Sequence, residues 1–150
     1  MWIGLLYMGF RAPYPFRFCM RKIVVTSDAP KAVGPYSQAV LVGDTLYCSG
    51  QIPLDPATGE VVFGGVREAA HRVFLNLGAV LRASEMGFSD VVKVTIFITD
   101  LSKFGELNEV YASYFSEPYP ARSTVQVSAL PRGVQVEVEA VAVRNREAGV

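Results

Sequence analysis

The chain has 150 residues, enough for one domain that buries roughly 70% of the surface its unfolded form would expose. Fourteen basic residues balance fourteen acidic ones, so no net basic field exists to gather phosphates, which argues against general nucleic-acid binding. Hydrophobic residues make up 51% against 19% charged, a surplus that anticipates burial at a subunit interface as well as in a core.

The first nineteen residues, MWIGLLYMGFRAPYPFRFC, differ from the rest. Their apolar run is about half the roughly 20 residues a membrane span requires. No basic leader or small-residue cleavage site accompanies it. Residues 1–19 read as a disordered extension or a misplaced upstream start. Met20 then opens MRKIVVT, a natural beginning for a cytoplasmic domain over residues 20–150 with no membrane association. The two cysteines, Cys19 and Cys48, imply no disulfide framework, and no CxxC or HxxxH spacing offers a metal site. Cys48 reads as a buried small hydrophobe in a strand, and His71 as a boundary residue beside a helical stripe.

Residues 22–26 form a short β-branched strand. After the breaker-rich SDAPKAVGP, YSQAVLV and TLYCSGQ read as a hairpin closed at Gly43 and Asp44. The loop IPLDPATGE follows. Residues 66–86 are a helix, with Val66, Ala69, Ala70, Val73, Phe74, Leu77, Val80 and Leu81 as one buried stripe and Gly87 as its stop. VVKVTIFIT is a strand with Val92, Val94, Ile96 and Ile98 on one face. Asp100 or Ser102 caps a second helix to about residue 117, striped by Phe104, Leu107, Val110, Tyr111 and Tyr114, and Pro118 and Pro120 end it. Its aromatics read as core residues and not as a stacking platform for bases. Two final strands complete the order βββ-α-β-α-ββ, an α+β sandwich with two helices on one face of a mixed sheet.

The last two strands carry the chemistry. Arg122 opens the first, and Glu137 and Glu139 interrupt the second; arginine is a fork for carboxylates, and glutamate activates water. An even-numbered turn pairs Val125, Val127 and Ala129 with Val136, Val138 and Ala140 as one apolar face. That hairpin puts Arg122 and Glu137 on one face but opposes Arg122 to Val143, roughly 20 Å from Glu137 along the strand. Two groups so far apart serve one small acid only if a second chain supplies one of them, so the expectation is an oligomer with sites between subunits.

GPYSQAV, SGQIPLDPATGE, FITDLSKFGELNEVY, PARSTVQV and LPRGVQVEVEAVAV together resemble, in order and spacing, the Rid family of imine and enamine deaminases, closest to its reactive intermediate deaminase A subgroup. The resemblance runs from about residue 21 to residue 145. It implies a chorismate-mutase-like fold assembled as a homotrimer with clefts between subunits. It also implies hydrolysis of 2-imino acids, such as 2-iminopropanoate and 2-iminobutanoate, to 2-oxo acids and ammonia without a cofactor. By position, Arg122 matches the family's carboxylate-binding arginine and Glu137 the glutamate that activates water. Tyr36, Ser49, Gly50 and Asn108 match residues lining the cleft. Thr124 stands where many members have cysteine, which removes thiol-based regulation there; the backbone carbonyl that the family uses is retained.

Each assignment has a plainer competitor. Arg122 suits a structural ion pair between subunits. Glu139 competes with Glu137, and pattern alone does not choose between them. Tyr36 suits a turn, and Asn108 a solvated helix surface. Two other functions stay open at this stage: an RNA-acting protein, whether ribonuclease or translation inhibitor, and a non-catalytic sensor of small acids.

Overall fold

The computed structural model describes residues 21–144; the extension read at residues 1–19 lies outside them. The described chain runs β1 (Arg21–Val24), β2 (Ala39–Val42), β3 (Thr45–Gln51), α1 (Val66–Arg82), β4 (Val91–Ile98), α2 (Phe104–Tyr114), β5 (Ala121–Gln126) and β6 (Val136–Val143). The six strands form one mixed sheet in the order β1-β2-β3-β6-β4-β5. Both helices pack together against one face.

Strict alternation drives the centre of this sheet. Val136, Val138, Ala140 and Ala142 of β6 are buried under the helices, as are Val94, Ile96 and Ile98 of β4. Opposite them α1 contributes Val73, Phe74, Leu77, Val80 and Leu81, all at 0% exposure. Each such side chain contributes roughly 1.5–3 kcal/mol relative to leaving it in water. The hairpin at Gly43 and Asp44 forms with Val42 opposite Thr45, and Gly43 adopts the left-handed φ of 62° that the turn needs.

Four expectations change. The first helix stops at Arg82, not at residue 86: Glu85 takes the left-handed φ of 57°, and Met86 N–H donates to the Leu81 carbonyl. Gly87 is extended (φ −134°) and donates its N–H to the Asp90 carboxylate. The second helix ends at Tyr114, and Asp100 caps the 3-10 turn Leu101–Lys103 that precedes it. A bulge between Val91 and Lys93 turns Val92 outward, 47% exposed, and buries Val91 in its place.

The fourth correction governs the site. β5 and β6 are not a hairpin. β5 lies parallel to β4, and β6 is inserted between β3 and β4. The segment β4-α2-β5 is a crossover unit, which places parallel strands side by side, and residues 127–135 carry the chain back across β4. The expected apolar face of the last strand pair therefore does not exist. Arg122, Thr124 and Gln126 sit in register with Val94, Ile96 and Ile98 on the helix side, while Val125 is turned away from the helices and 42% exposed.

Candidate functional site

Glu137 lies on the sheet face without helices, opposite Phe97 of β4. Its seat is made by β3. Cys48 pairs with Ala140 and Gln51 with Val138, so Ser49 and Gly50 together oppose Glu139, a bulge that presents Gly50 to Glu137. A Cβ built on Gly50 would overlap Glu137 Oε1 and stand 2.8 Å from its Cδ. Gly50 is therefore the space that the carboxylate occupies. Partial burial, and then Glu139 two residues along the same face, push the Glu137 carboxyl above the ordinary glutamate range.

Around this carboxylate opens a cleft of about 830 Å³ lined by Tyr36, Ser49, Gly50, Arg132, Glu137 and Glu139, among others. Tyr36 is 52% exposed at its mouth, following the turn at Gly34. The Ser49 hydroxyl donates to the Ser37 carbonyl at 2.6 Å, so its proton is committed and its oxygen remains as an acceptor. The cleft wall depends on a residue that sequence reasoning missed. Buried Gln38 accepts from Thr26 N–H at 2.7 Å and donates to the carbonyls of Thr26, Ala29 and Pro30, tying that loop to β2. Arg132 was also missed. It donates to the Gly59 carbonyl at 2.7 Å, bringing the turn before β6 against the loop that follows β3. Neither carries a sequence signal beyond being a long polar side chain beside a turn.

Arg122 stands elsewhere. It faces the helices from the sheet edge, its Nη1 donating to Asn108 Oδ1 at 2.9 Å. Its guanidinium carbon lies 4.4 Å from the Tyr111 ring centroid and 5.4 Å from that of Phe104. Phe104, Asn108 and Tyr111 are spaced i, i+4 and i+7 on α2, a spacing visible in the sequence, where the two aromatics read as core and Asn108 as a cleft or solvated residue. Burial pushes the Tyr111 phenol above its ordinary value, and the adjacent Arg122 charge opposes that shift. Thr124, the next inward residue of β5, has its Oγ1 buried without a hydrogen-bond partner among the described residues.

The candidate residues thus fall into two groups. Tyr36, Ser49, Gly50 and Glu137 come together at the cleft; Arg122 and Asn108 come together at the β5 edge, with Thr124 beside them on the strand. Arg122 is in register with Ala140 through Val94, three residues from Glu137 and two strands away. Those offsets separate the two backbones by about 14 Å, and the odd stagger puts the side chains on opposite faces. The shared face expected for Arg122 and Glu137 is overturned by the parallel pairing of β5; their separation within one chain stands.

Cys48 is buried between strands, and desolvation pushes its thiol up to about 12, which leaves it protonated and inert. His71 is exposed on α1 with Nδ1 3.2 Å from the Tyr114 hydroxyl, away from both groups. Among the described residues no cluster of metal-ligating side chains occurs, and no helix is long and apolar enough to cross a membrane.

Residues 26–144 match the family model described as Endoribonuclease L-PSP. A Bos taurus protein named 2-iminobutanoate/2-iminopropanoate deaminase is 50% identical over 126 residues, 84% of this chain and 92% of that protein. The solved structure of RidA from a Psychrobacter species superposes with a TM-score of 0.80 at 48% identity, over 82% of this chain and 99% of that one. The Escherichia coli TdcF structure with bound serine gives a TM-score of 0.78 at 45% identity, over 83% and 99% of the two chains.

Proposed function

The chain belongs to the Endoribonuclease L-PSP family, on its Rid branch of 2-iminobutanoate/2-iminopropanoate deaminases, and from that premise we propose that it hydrolyses small 2-imino acids at clefts between the subunits of a homotrimer. The observation that carries this reading is the division of the site. One chain holds a carboxylate seated on Gly50 within a cleft, and a guanidinium roughly 14 Å away on the other face. Each is half of a site for an anionic electrophile, and assembly through the helix-free sheet face supplies the missing half.

In the proposed reaction, Arg122 takes the substrate carboxylate through its fork and fixes the face of the C=N bond presented to water. Glu137 of the adjacent subunit accepts a proton from that water as its oxygen bonds to the imine carbon. The proton is then returned to nitrogen, giving a carbinolamine. As the C–N bond breaks, the new hydroxyl gives its proton to nitrogen by way of Glu137 and becomes the C=O, so that a 2-oxo acid and ammonia leave. Such acid–base help gives about 10²–10⁴-fold. The raised Glu137 carboxyl suits it, because a base with a pKa nearer neutrality also returns its proton more readily. Tyr36 and the Ser49 oxygen line the water side, and the backbone at Gly50 and Thr124 orients the imine nitrogen. The hydrolysis requires no cofactor.

The family description as an endoribonuclease names the competing reading, which the zero net charge and the position of His71 away from both half-sites do not favour. Mixing inactive Arg122→Ala and Glu137→Ala chains tests the proposal. Ammonia release from freshly generated 2-iminopropanoate should return in hybrid assemblies. Demonstrated subunit exchange without recovery would refute the shared site.

A further inference from the structure

A long arginine side chain has no fixed orientation by itself, yet a bidentate carboxylate contact needs one. The guanidinium of Arg122 lies over the Tyr111 ring at 4.4 Å from its centroid, and Asn108 takes one Nη1 proton at 2.9 Å. Among the described residues its remaining donors have no protein partner. Tyr111 is itself immobilised: it stacks on Phe115 with centroids 4.4 Å apart, meets Phe74 edge-on at 5.9 Å, and is 4% exposed. Its hydroxyl is buried without a hydrogen-bond partner among the described residues, so the ring face is what it offers.

We infer that Tyr111 is a positioning residue for substrate binding: its ring supports the flat guanidinium of Arg122 so that the edge left free by Asn108 faces the incoming carboxylate. This rests on the reading of Arg122 as the carboxylate-binding group. The attraction between a cation and a ring face depends on the ring's quadrupole and not on the phenol oxygen. Removing the oxygen and removing the ring should therefore have different consequences.

The test measures binding of 2-oxobutanoate, a stable carboxylate-bearing product analogue, to the assembled protein by calorimetry. Tyr111→Phe should bind within about twofold of the unaltered chain, since the ring remains. Tyr111→Leu should weaken binding about 3- to 30-fold, and should add nothing when Arg122 is already alanine. Because leucine disturbs the aromatic packing, 3,4,5-trifluorophenylalanine at position 111 provides a variant of similar shape with a depleted ring face, and binding should fall with it relative to Tyr111→Phe. Equal binding by the phenylalanine and trifluorophenylalanine proteins overturns the inference, as does an undiminished effect of Tyr111→Leu in the Arg122→Ala background. If Arg122→Ala itself leaves 2-oxobutanoate binding unchanged, the carboxylate reading and this inference fall together. A loss on Arg122→Ala without the ring effects removes the Tyr111 inference alone.

Discussion

Replacing Gly50 by alanine adds one methyl group where the Glu137 carboxylate rests. The new Cβ would overlap Oε1, stand 2.8 Å from Cδ and 3.0 Å from Cγ. Carbon atoms pack at about 3.5–4.0 Å, so the carboxyl carbon must retreat by about 1 Å and the oxygen farther. The retreat is open to a partly buried but flexible side chain at the cost of an off-rotamer angle, roughly 0.5–1.5 kcal/mol. Gly50 does not have a left-handed φ, so alanine adds no backbone strain. Catalysis is more exacting, because a misplacement of about 1 Å costs on the order of 10²-fold. Gly50→Ala should therefore fold with a melting temperature within a few degrees of the parent, while ammonia release from 2-iminopropanoate drops about a hundredfold. Combined with Glu137→Gln, it should add little further loss, since both act on the same carboxylate. Full activity in Gly50→Ala would refute the reasoning, as would a loss that multiplies in the double variant.

The other predictions concern titration and packing. Glu137 keeps its proton to higher pH when folded, so the acid limb of activity should lie above the ordinary glutamate range, and Glu139→Gln should move it downward in a rate–pH profile. For stability the sign reverses the usual carboxylate case. Below the ordinary glutamate range both states are protonated and the residue is neutral in effect; as pH rises, the unfolded chain ionises first and the fold is disfavoured. Glu137→Gln should thus raise the melting temperature at pH 7, and the gain should vanish toward about pH 4. Phe74→Ala, which empties a fully buried position contacted edge-on by Tyr111, Phe88 and Phe115, should cost about 3–5 kcal/mol in urea unfolding.

Much of the fold was legible because local rules agreed with the tertiary outcome. The stripe from Val66 to Leu81 lies under the sheet, and the Gly43-Asp44 turn closes its hairpin, because helical spacing and turn chemistry act over a few residues. Element ends were less legible. Glu85 adopts the left-handed conformation that was expected near Gly87, and the bulge at Val91 reverses which valine is buried, since neighbouring strands and helices decide both. The cleft wall was invisible for a related reason: Gln38 joins segments about ten residues apart through side-chain bonds that no periodicity encodes.

From the amino-acid order alone one could read which groups the chain offers: an arginine, a glutamate, and an asparagine on the same helix as two aromatics; that Gly50 makes room for Glu137 came from the strand bulge. The expectation that Arg122 and Glu137 do not meet within one chain rested on a hairpin that the structure does not contain. Tertiary structure alone decided how they are kept apart. Nearest-neighbour pairing joins β5 to β6, whereas the crossover through α2 sets β5 parallel to β4 and frees β6 to enter between β3 and β4. Strand pairing is a contest among distant segments for the most buried position. The fully apolar inward face of β6 takes the centre of the sheet, and β5, with Arg122, Thr124 and Gln126 inward, takes the edge. That contest turned Arg122 onto the ring of Tyr111 and left Glu137 on the face without helices.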